Sequence, residues 1–185
     1  MKVSKFAIQR LAQHMEQGGV VACPAEAVWG LSCDPFCESA VDTVLALKQR
    51  SVTKGLIVVA GDIDMLAPIL APLPAPLRAE LEMSWPGGNT WLLPNRGLFP
   101  PWITGDSEEV AVRVTGAPSL KALSCAFGGP VVSTSANPAG AQPARQGFQV
   151  VRYFGPNLPR ARGSVDATAK PSTIRRLGTG EVLRA

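Results

Sequence analysis

The hydrophobic positions along the chain switch repeatedly between helical and strand spacing. Apolar side chains in the range Phe6–Met15 follow one helical stripe that ends at a glycine pair, and they predict a helix over residues 4–17. The segment "VVACP" then predicts a short buried strand that ends at Pro24. A second helix is predicted over Glu38–Lys48, and the continuous β-branched segment "GLIVVA" after it predicts a strand covered on both faces.

Helices and strands continue to alternate through the rest of the chain. The range Asp62–Trp85 carries two predicted helices, divided by the proline-dense "APLPAPL", because a helix interior does not tolerate proline. Further strands are predicted at Thr90–Pro94, Val110–Thr115, Pro130–Ser135, "STIRRL" and "EVLRA", and further helices at Ser119–Phe127 and Gln146–Phe154. This interleaving is typical of an α/β sheet with helices on its faces.

Chain length and composition limit the architecture. The 185 residues, 46% of them apolar and 17% charged, are sufficient for one good-sized core, and we expect residues 1–185 to form one domain. The 18 basic and 14 acidic side chains leave a net charge of +4. This balance favours anionic partners without indicating a dedicated nucleic-acid tail.

Cysteine and histidine usage limits the chemistry. Four cysteines and no secretory signal pattern predict a protein of the reducing cytoplasm. Cys33 and Cys37 are four residues apart, but the one histidine, His14, lies on the first predicted helix, so buried free thiols are predicted rather than a zinc site. No apolar segment approaches the ~20 residues of a membrane-spanning helix, and we expect no membrane association.

Three cations, Lys48, Arg50 and Lys54, lie within seven residues directly before the apolar strand "GLIVVA". Lys48 closes the second predicted helix, where a cation complements the negative end of the helix dipole. Arg50 and Lys54 follow in a loop, where they are either solvated surface charges or part of a site for an anion. These residues alone leave both interpretations open.

Other polar groups lie beside predicted strands. "STSANPAG", Ser133 to Gly140, brings three hydroxyls and an amide to a strand end, which suits either an anion or nucleotide site or a turn that caps the next helix. The segment Cys23–Pro35 also follows a strand and is predicted as a loop. Arg113 lies inside the apolar strand "VAVRVT", where its guanidinium must point out of the sheet or meet an anion, because burying it unpaired is very costly.

Several familiar catalytic motifs do not occur in the sequence. It contains no phosphate-loop, dinucleotide-binding or nucleophile-elbow pattern. One histidine in the whole chain also disfavours a catalytic triad. We therefore expect any chemistry to depend on charge and positioning.

Six segments occur in the order and at the spacing of one protein family: "PAEAVWGLSCD", "LALKQRSVTKGLIV", "SWPGGNT", "VAVRVT", "VVSTSANPAG" and "KPSTIRR" followed by "GEVLRA". On these segments the chain resembles the YrdC/TsaC family of threonylcarbamoyl-AMP synthases, in its single-domain bacterial form. The resemblance implies an open twisted α/β sheet with helices on its faces and a concave basic cleft. It also implies a nucleotidyltransferase that condenses L-threonine, bicarbonate or CO₂ and ATP into threonylcarbamoyl-AMP and pyrophosphate, for the modification of tRNA.

The resemblance also assigns the site residues and partners. It implies catalytic roles for Lys48 and Arg50 beside the ATP phosphates. The residues implied to bind ATP or threonine are Lys48, Arg50, Lys54, Arg113, Ser133, Ser135, Asn137, Ser172 and Arg184. No protein side chain is expected to bind a metal, and Mg²⁺ is expected to enter with ATP. The implied macromolecular partners are tRNA or double-stranded RNA and the downstream tRNA threonylcarbamoyl-transferase proteins.

The chain departs from the family pattern in two segments. Ala25, Trp29 and Ser32 stand where relatives have threonine, a smaller aromatic residue and glycine, and Gly88-Asn89 replaces a proline and an apolar residue. The motif positions that the resemblance assigns to nucleotide binding therefore match the family better than those assigned to threonine binding. We expect the amino-acid affinity or selectivity to be affected.

Two other functions are compatible with the residues. The basic, tyrosine-containing segment Val150–Gly163 favours an RNA-binding or ribosome-maturation module without catalysis. A diverged relative that binds nucleotide but uses another acceptor is the third interpretation.

Overall fold

The computed structural model of the chain describes residues 4–166, 168–169 and 172–184. The helices within them are α1 (Lys5–Glu16), α2 (Glu38–Lys48), α3 (Ala67–Leu70), α4 (Ala75–Ser84), α5 (Pro101–Thr104), α6 (Pro118–Phe127) and α7 (Gly147–Phe154). The strands are β1 (Val21–Pro24), β2 (Trp29–Ser32), β3 (Ile57–Ala60), β4 (Asn89–Pro94), β5 (Glu109–Val114), β6 (Val131–Val132), β7 (Thr134–Ser135), β8 (Thr173–Arg176) and β9 (Val182–Arg184). Short 3₁₀ turns precede β3 and α3.

The strands form two sheets. A small antiparallel sheet has the order β1-β2-β7, and a larger mixed sheet has the order β6-β3-β5-β4-β8-β9. In the larger sheet β3 pairs with β5 in parallel and β4 pairs with β8 in parallel, while the other pairs are antiparallel. Both parallel pairs join strands that are separated in the chain by helices and at least one other strand, whereas the antiparallel pair of β8 and β9 is joined by a short turn.

Apolar layers cover both faces of the larger sheet at β3. Val58 and Val59 are fully buried and point to opposite faces, since side chains alternate along a strand. Val59 packs in a cluster with α1 and α6, including Met15 and Leu123. Val58 packs in the other cluster, which includes Val44 of α2. The prediction of a strand covered on both faces is confirmed.

Most of the predicted elements are present in the structure. The first two helices, the helices α6 and α7 and the strands β1, β3, β4, β5, β8 and β9 lie within a few residues of their predicted bounds. The last predicted strand includes Ala185, which lies outside the described residues. The helices predicted between Asp62 and Trp85 correspond to α3, with the 3₁₀ turn before it, and α4.

The prediction of a loop over residues 23–35 is wrong in its centre, where β2 lies. β2 is fully buried and pairs with β1 from Pro24–Trp29 to Val21–Ser32. Its sequence, "WGLS", has no β-branched residue and includes a glycine, so strand pairing and burial decide its conformation rather than local propensity.

The single strand predicted at Pro130–Ser135 is divided between the two sheets. Val132 of β6 pairs with β3 in the larger sheet, whereas Thr134 of β7 pairs with Leu31 of β2 in the smaller one. Ser133 is the residue at which the chain crosses from one sheet to the other. The division matters for the site, because it places a hydroxyl at the junction of the sheets.

No helix among the described residues is both long and apolar enough to span a membrane. The four cysteines are free thiols, as predicted. Cys33 is buried, but Cys37 is only half-buried, so the prediction of a buried thiol is wrong for Cys37. Cys23 is also buried, and Cys125 on α6 is exposed.

The thiols should react with Ellman's reagent in an order set by burial. Burial raises the pKa of the Cys23 and Cys33 thiols, which keeps them protonated and unreactive in the native protein. We expect Cys125 to react first, the half-buried Cys37 to follow more slowly, and Cys23 and Cys33 to react only after unfolding in guanidinium chloride. The variant Cys125→Ser should lose the fast phase of the absorbance change, and a fast phase that survives in this variant would contradict the assignment.

Candidate functional site

A cavity of about 580 Å³ is lined by residues of both sheets, a volume within the ~300–1,000 Å³ range of small-molecule sites. Its polar and charged wall residues are Glu26, Arg50, Lys54, Thr104, Ser107, Glu109, Arg113, Ser133, Thr134, Ser135, Ser172 and Arg184. Four of these side chains are cationic and two are anionic. The wall therefore carries excess positive charge.

Arg50 reaches the cavity because α2 ends in a left-handed residue. Gln49 has a φ of 51°, and the chain turns there away from the helix axis. The Arg50 Nη2 donates to the backbone oxygens of Lys54 at 3.3 Å and Gly55 at 3.0 Å. Its buried Nε has no hydrogen-bond partner among the described residues. The loop is thus folded around its own arginine, which keeps donor capacity for an anion.

The cationic loop is fixed from outside by α5, an element that was not predicted. Leu56 N–H donates to the Ile103 oxygen at 2.8 Å. Gly105 has a φ of 63°, and a Cβ at this position would lie 2.4 Å from the Thr53 oxygen. Only glycine permits this approach of two backbone segments. The short helix and its closing glycine therefore hold the loop that carries Arg50.

Strand β5 presents its alternate residues to the cavity. Glu109, Ala111 and Arg113 line the cavity, while the valines between them are buried in the core. Arg113 is 7% exposed, and its Nη1 lies 2.9 Å from Oε2 of Glu26. Burial lowers the pKa of Arg113, and the Glu26 carboxylate acts in the opposite direction. The prediction that Arg113 points outward or meets an anion is confirmed, since the Glu26 carboxylate is that anion.

Arg184 brings a third guanidinium to the same cavity. Its Nε and Nη2 donate to the Ser172 backbone oxygen at 3.2 and 2.8 Å, and Nη2 also donates to the Ser172 hydroxyl at 2.8 Å. Partial burial lowers the pKa of Arg184, and the positive charges of Arg113 and Arg50 lower it further. Because the positive charges of these guanidinium groups repel one another, a phosphate or carboxylate bound among them is stabilised.

Lys48 and Asn137 lie behind the cavity wall rather than in it. The buried Lys48 Nζ donates to the backbone oxygens of Ser135 and Asn137, the latter at 3.1 Å, and lies 3.4 Å from the Ser135 hydroxyl. The Asn137 amide donates to the Ala141 oxygen at 2.9 Å. Both side chains thus hold the segment that presents Ser133 and Ser135 to the cavity.

The structure brings most of the sequence-predicted site residues together. Those in the cavity wall are Arg50, Lys54, Arg113, Ser133, Ser135, Ser172 and Arg184. Glu26 was not singled out, although a buried arginine in an apolar strand requires a carboxylate and Glu26 follows β1 closely. Thr115, which donates its hydroxyl to Glu26, was missed because nothing in its local sequence distinguishes it.

The departures from the family pattern fall in two places. Ala25 and Gly88 lie in the cavity wall, and a Cβ at Gly88 would meet no atom within 4 Å. Trp29 and Ser32 are buried in β2, where the Trp29 Nε1 and the Ser32 hydroxyl have no hydrogen-bond partner among the described residues. The first pair removes side-chain volume from the cavity wall, and the second pair changes the core behind it.

The described residues contain no group of three or more His, Cys, Asp or Glu side chains that could hold a metal ion. Glu26 and Glu109, the acids of the cavity wall, are instead paired with Arg113 and Arg176. Fold and site together define a class of protein: an α/β protein with a cation-lined cavity for a small anionic ligand.

Comparison with known proteins identifies the family. A family model described as "Telomere recombination", for Sua5, YciO and YrdC, matches residues 13–185. The threonylcarbamoyl-AMP synthase of Cellvibrio japonicus is 52% identical over 174 residues, which cover 94% of this chain and 92% of that protein. The chain therefore belongs to the Sua5/YciO/YrdC family, which confirms the resemblance seen in the sequence.

Solved structures show the same fold. P. abyssi Sua5 gives a TM-score of 0.89 at 25% identity and covers 95% of this chain. This chain corresponds to 54% of that protein, so it spans about half of its length. A structure of P. abyssi Sua5 complexed with L-threonine gives a TM-score of 0.85 at 25% identity, over 96% of this chain and 52% of that one. The predicted α/β architecture is confirmed.

Lys48 should make the stability of the protein depend on pH. Burial lowers the pKa of Lys48 to about 8, with a contribution from the positive charge of Arg50. The pKa of a lysine in the unfolded chain is about 10.4, so between these two pKa values the unfolded state binds more protons at this residue than the folded state. The free energy of unfolding of the wild type, relative to Lys48→Met, should therefore rise as the pH is raised from about 8 to about 10.

Urea unfolding followed by tryptophan fluorescence at several pH values in this range would measure the difference. The variant Lys54→Met, which removes an exposed lysine of the neighbouring loop, controls for the loss of one positive charge. A difference between wild type and Lys48→Met that does not change with pH would contradict the prediction.

Proposed function

We propose that this protein is a threonylcarbamoyl-AMP synthase, a nucleotidyltransferase that joins L-threonine, bicarbonate or CO₂ and ATP with release of pyrophosphate. The observation that carries the proposal is the convergence of Arg50, Arg113 and Arg184 on one cavity. The relative from Cellvibrio japonicus carries this name, and one P. abyssi Sua5 structure is a complex with L-threonine. Both findings support the same activity.

The cations of the cavity wall suit the most highly charged species of this reaction. ATP and pyrophosphate carry several negative charges, and guanidinium groups bind phosphate oxygens through charge-assisted hydrogen bonds. Arg50 is the proposed catalytic contact, because it lines the cavity and its Nε has no hydrogen-bond partner in the described part of the chain, while its Nη2 is held by the loop. Arg113, Arg184 and Lys54 are proposed to offset the remaining phosphate charge. We assign Mg²⁺ to the substrate, as the ion that accompanies ATP.

The proposed reaction has two bond-forming steps. The threonine amine attacks the carbon of CO₂, which forms the N–C bond and, after loss of a proton to solvent, a carbamate. A carbamate oxygen then attacks the α-phosphorus in line, and the bond to the bridging oxygen breaks so that pyrophosphate leaves with the electron pair. Orientation and electrostatic stabilisation supply most of the acceleration of such transfers, which suits a cavity whose described wall has no histidine.

Lys48 and Asn137 are proposed to act through the chain segment that they hold. The Lys48 ammonium is engaged by oxygens of Ser135 and Asn137, and these contacts fix the Ser133 and Ser135 hydroxyls in the wall. The resemblance implies a catalytic role for Lys48, and we propose that this role is indirect. Lys48 orders the hydroxyls that would face threonine or the adenylate.

The product would be consumed by an enzyme that transfers the threonylcarbamoyl group. We propose that the downstream acceptor is tRNA, reached through tRNA threonylcarbamoyl-transferase proteins in the cytoplasm. A mixed anhydride of a carbamate and AMP is a reactive acyl donor, so its transfer to a nucleophile needs no further ATP.

RNA binding without catalysis is a second candidate function, and one observation favours it. Arg160, from the basic segment Val150–Gly163, lines a groove of about 480 Å³ with Arg10 and His14 of α1. A module of this kind would bind RNA with an affinity that falls steeply with added salt, and it would not bind ATP. Titration calorimetry with ATP therefore separates the two candidates.

Replacing Arg50 with alanine should abolish most of the synthase activity. The change removes a charge-assisted donor aimed at the phosphates, and losses of about 10²-fold are typical for one such donor. Pyrophosphate release that depends on ATP, L-threonine and bicarbonate is the assay. Arg78→Ala, on the exposed face of α4, is the matched control and should keep wild-type activity. Full activity of Arg50→Ala would remove this residue from the proposed mechanism.

A further inference from the structure

We infer that Glu26 is a positioning residue of the cavity, whose carboxylate aims the buried Arg113 guanidinium at the anionic part of the ligand. The inference rests on the proposed function for the identity of that ligand, and on the structure for the geometry. Nothing in the resemblance assigned a role to Glu26. Its position makes it the carboxylate that joins the two sheets at the cavity.

Arg113 depends on a carboxylate partner. Its side chain lies in the middle of β5, almost fully buried, and the Nη1–Oε2 contact with Glu26 is 2.9 Å long. The Arg113 Nε is buried and has no hydrogen-bond partner among the described residues. Because Arg113 also lines the cavity, a guanidinium that a carboxylate fixes on one side can offer its other donors to an anion bound there.

Glu26 is itself held by a set of short hydrogen bonds. Its Oε1 accepts from the Thr115 hydroxyl at 2.7 Å and from the Gly116 N–H at 3.1 Å. Its backbone oxygen accepts from the Asp166 N–H at 2.9 Å. The Glu26 side chain extends from the loop after β1, and its partners belong to the end of β5 and the turn before α6. The carboxylate is therefore fixed before any ligand binds.

The cavity wall contains two acidic residues, and comparing them shows whether Glu26 positions Arg113 or acts only as a negative charge. Glu26 contacts Arg113, whereas Glu109 pairs with Arg176, which is not in the wall. If Glu26 acted only as a negative charge, its removal would reduce repulsion and strengthen the binding of an anion. If it positions Arg113, its removal weakens that binding. The two roles therefore predict effects of opposite sign.

The experiment is calorimetric titration of inorganic pyrophosphate into the full chain and its variants. Glu26→Gln keeps an oxygen for Thr115 and Gly116 but turns an amide N–H₂ toward the Arg113 donors. We expect this variant to bind pyrophosphate about tenfold more weakly than the wild type, the order of one lost charge-assisted hydrogen bond. Glu109→Gln should bind it at least as tightly as the wild type.

A double-mutant cycle shows whether Glu26 acts through Arg113. In the Arg113→Met background, Glu26→Gln should cause no further loss of pyrophosphate affinity, whereas a general structural defect would cause the same loss in both backgrounds. Near-ultraviolet circular dichroism establishes that each variant is folded. Should Glu26→Gln not fold, Glu26→Asp asks the same question, because its shorter side chain withdraws the carboxylate from Arg113.

The possible results separate the inference from the proposed function. Wild-type affinity in Glu26→Gln, or in a folded Glu26→Asp used in its place, overturns the inference, and so does a wild type that binds no pyrophosphate. A wild type that binds pyrophosphate but releases none from ATP and threonine contradicts the synthase proposal. In that case the calorimetry still decides the role of Glu26, because it requires no turnover.

Discussion

The ion pair between Arg113 and Glu26 joins the two sheets at the cavity, and much of the site follows from it. Arg113 lies on β5 between valines that face the core, so its charge needs a partner within reach of that strand. Glu26, from the loop of the smaller sheet, is that partner, and its second oxygen is satisfied by Thr115 and Gly116. The remaining cations of the wall, Arg50 among them, have no carboxylate partner among the described residues. The cavity is therefore prepared for an anion.

The buried charge of Lys48 is accommodated differently, by neutral oxygens. Lys48 is the last residue of α2, and its ammonium donates to oxygens of Ser135 and Asn137, which follow the crossover between the sheets. These contacts thus satisfy a buried donor and order a hydroxyl-bearing segment. Burial still weakens the charged form of Lys48, in keeping with the direction in which its pKa moves.

Elements with a strong local pattern were predictable from the sequence. Helix α1 has a clear apolar stripe, and β3 is a β-branched run that can only be buried. β2 and α5 have neither pattern; their conformations depend on pairing with β1 and on the approach of Gly105 to Thr53. The division of Pro130–Ser135 between two sheets likewise depends on partners distant in sequence.

The identities of the site residues were predictable mainly from the resemblance. The directions in which their side chains point were not predictable from the sequence. Which of two neighbouring cations faces the cavity is decided by a single left-handed residue, Gln49, after which the chain turns. Lys48, one residue before it, points to the crossover, and Arg50, one residue after it, points to the cavity. No periodicity in the sequence contains this reversal, because it depends on one backbone dihedral.

The composition of the cavity wall favours a ligand with both charged and apolar parts. Ile57 of β3, Ala111 of β5 and Leu92 of β4 are directly paired across the larger sheet and all line the cavity. Arg113 lies on the same face of β5 as Ala111, two residues further along, so apolar and cationic surfaces adjoin. Inorganic phosphate would use only the cationic part. A ligand with an apolar and an anionic part would use both surfaces, so the wall suits such a ligand better than a simple anion.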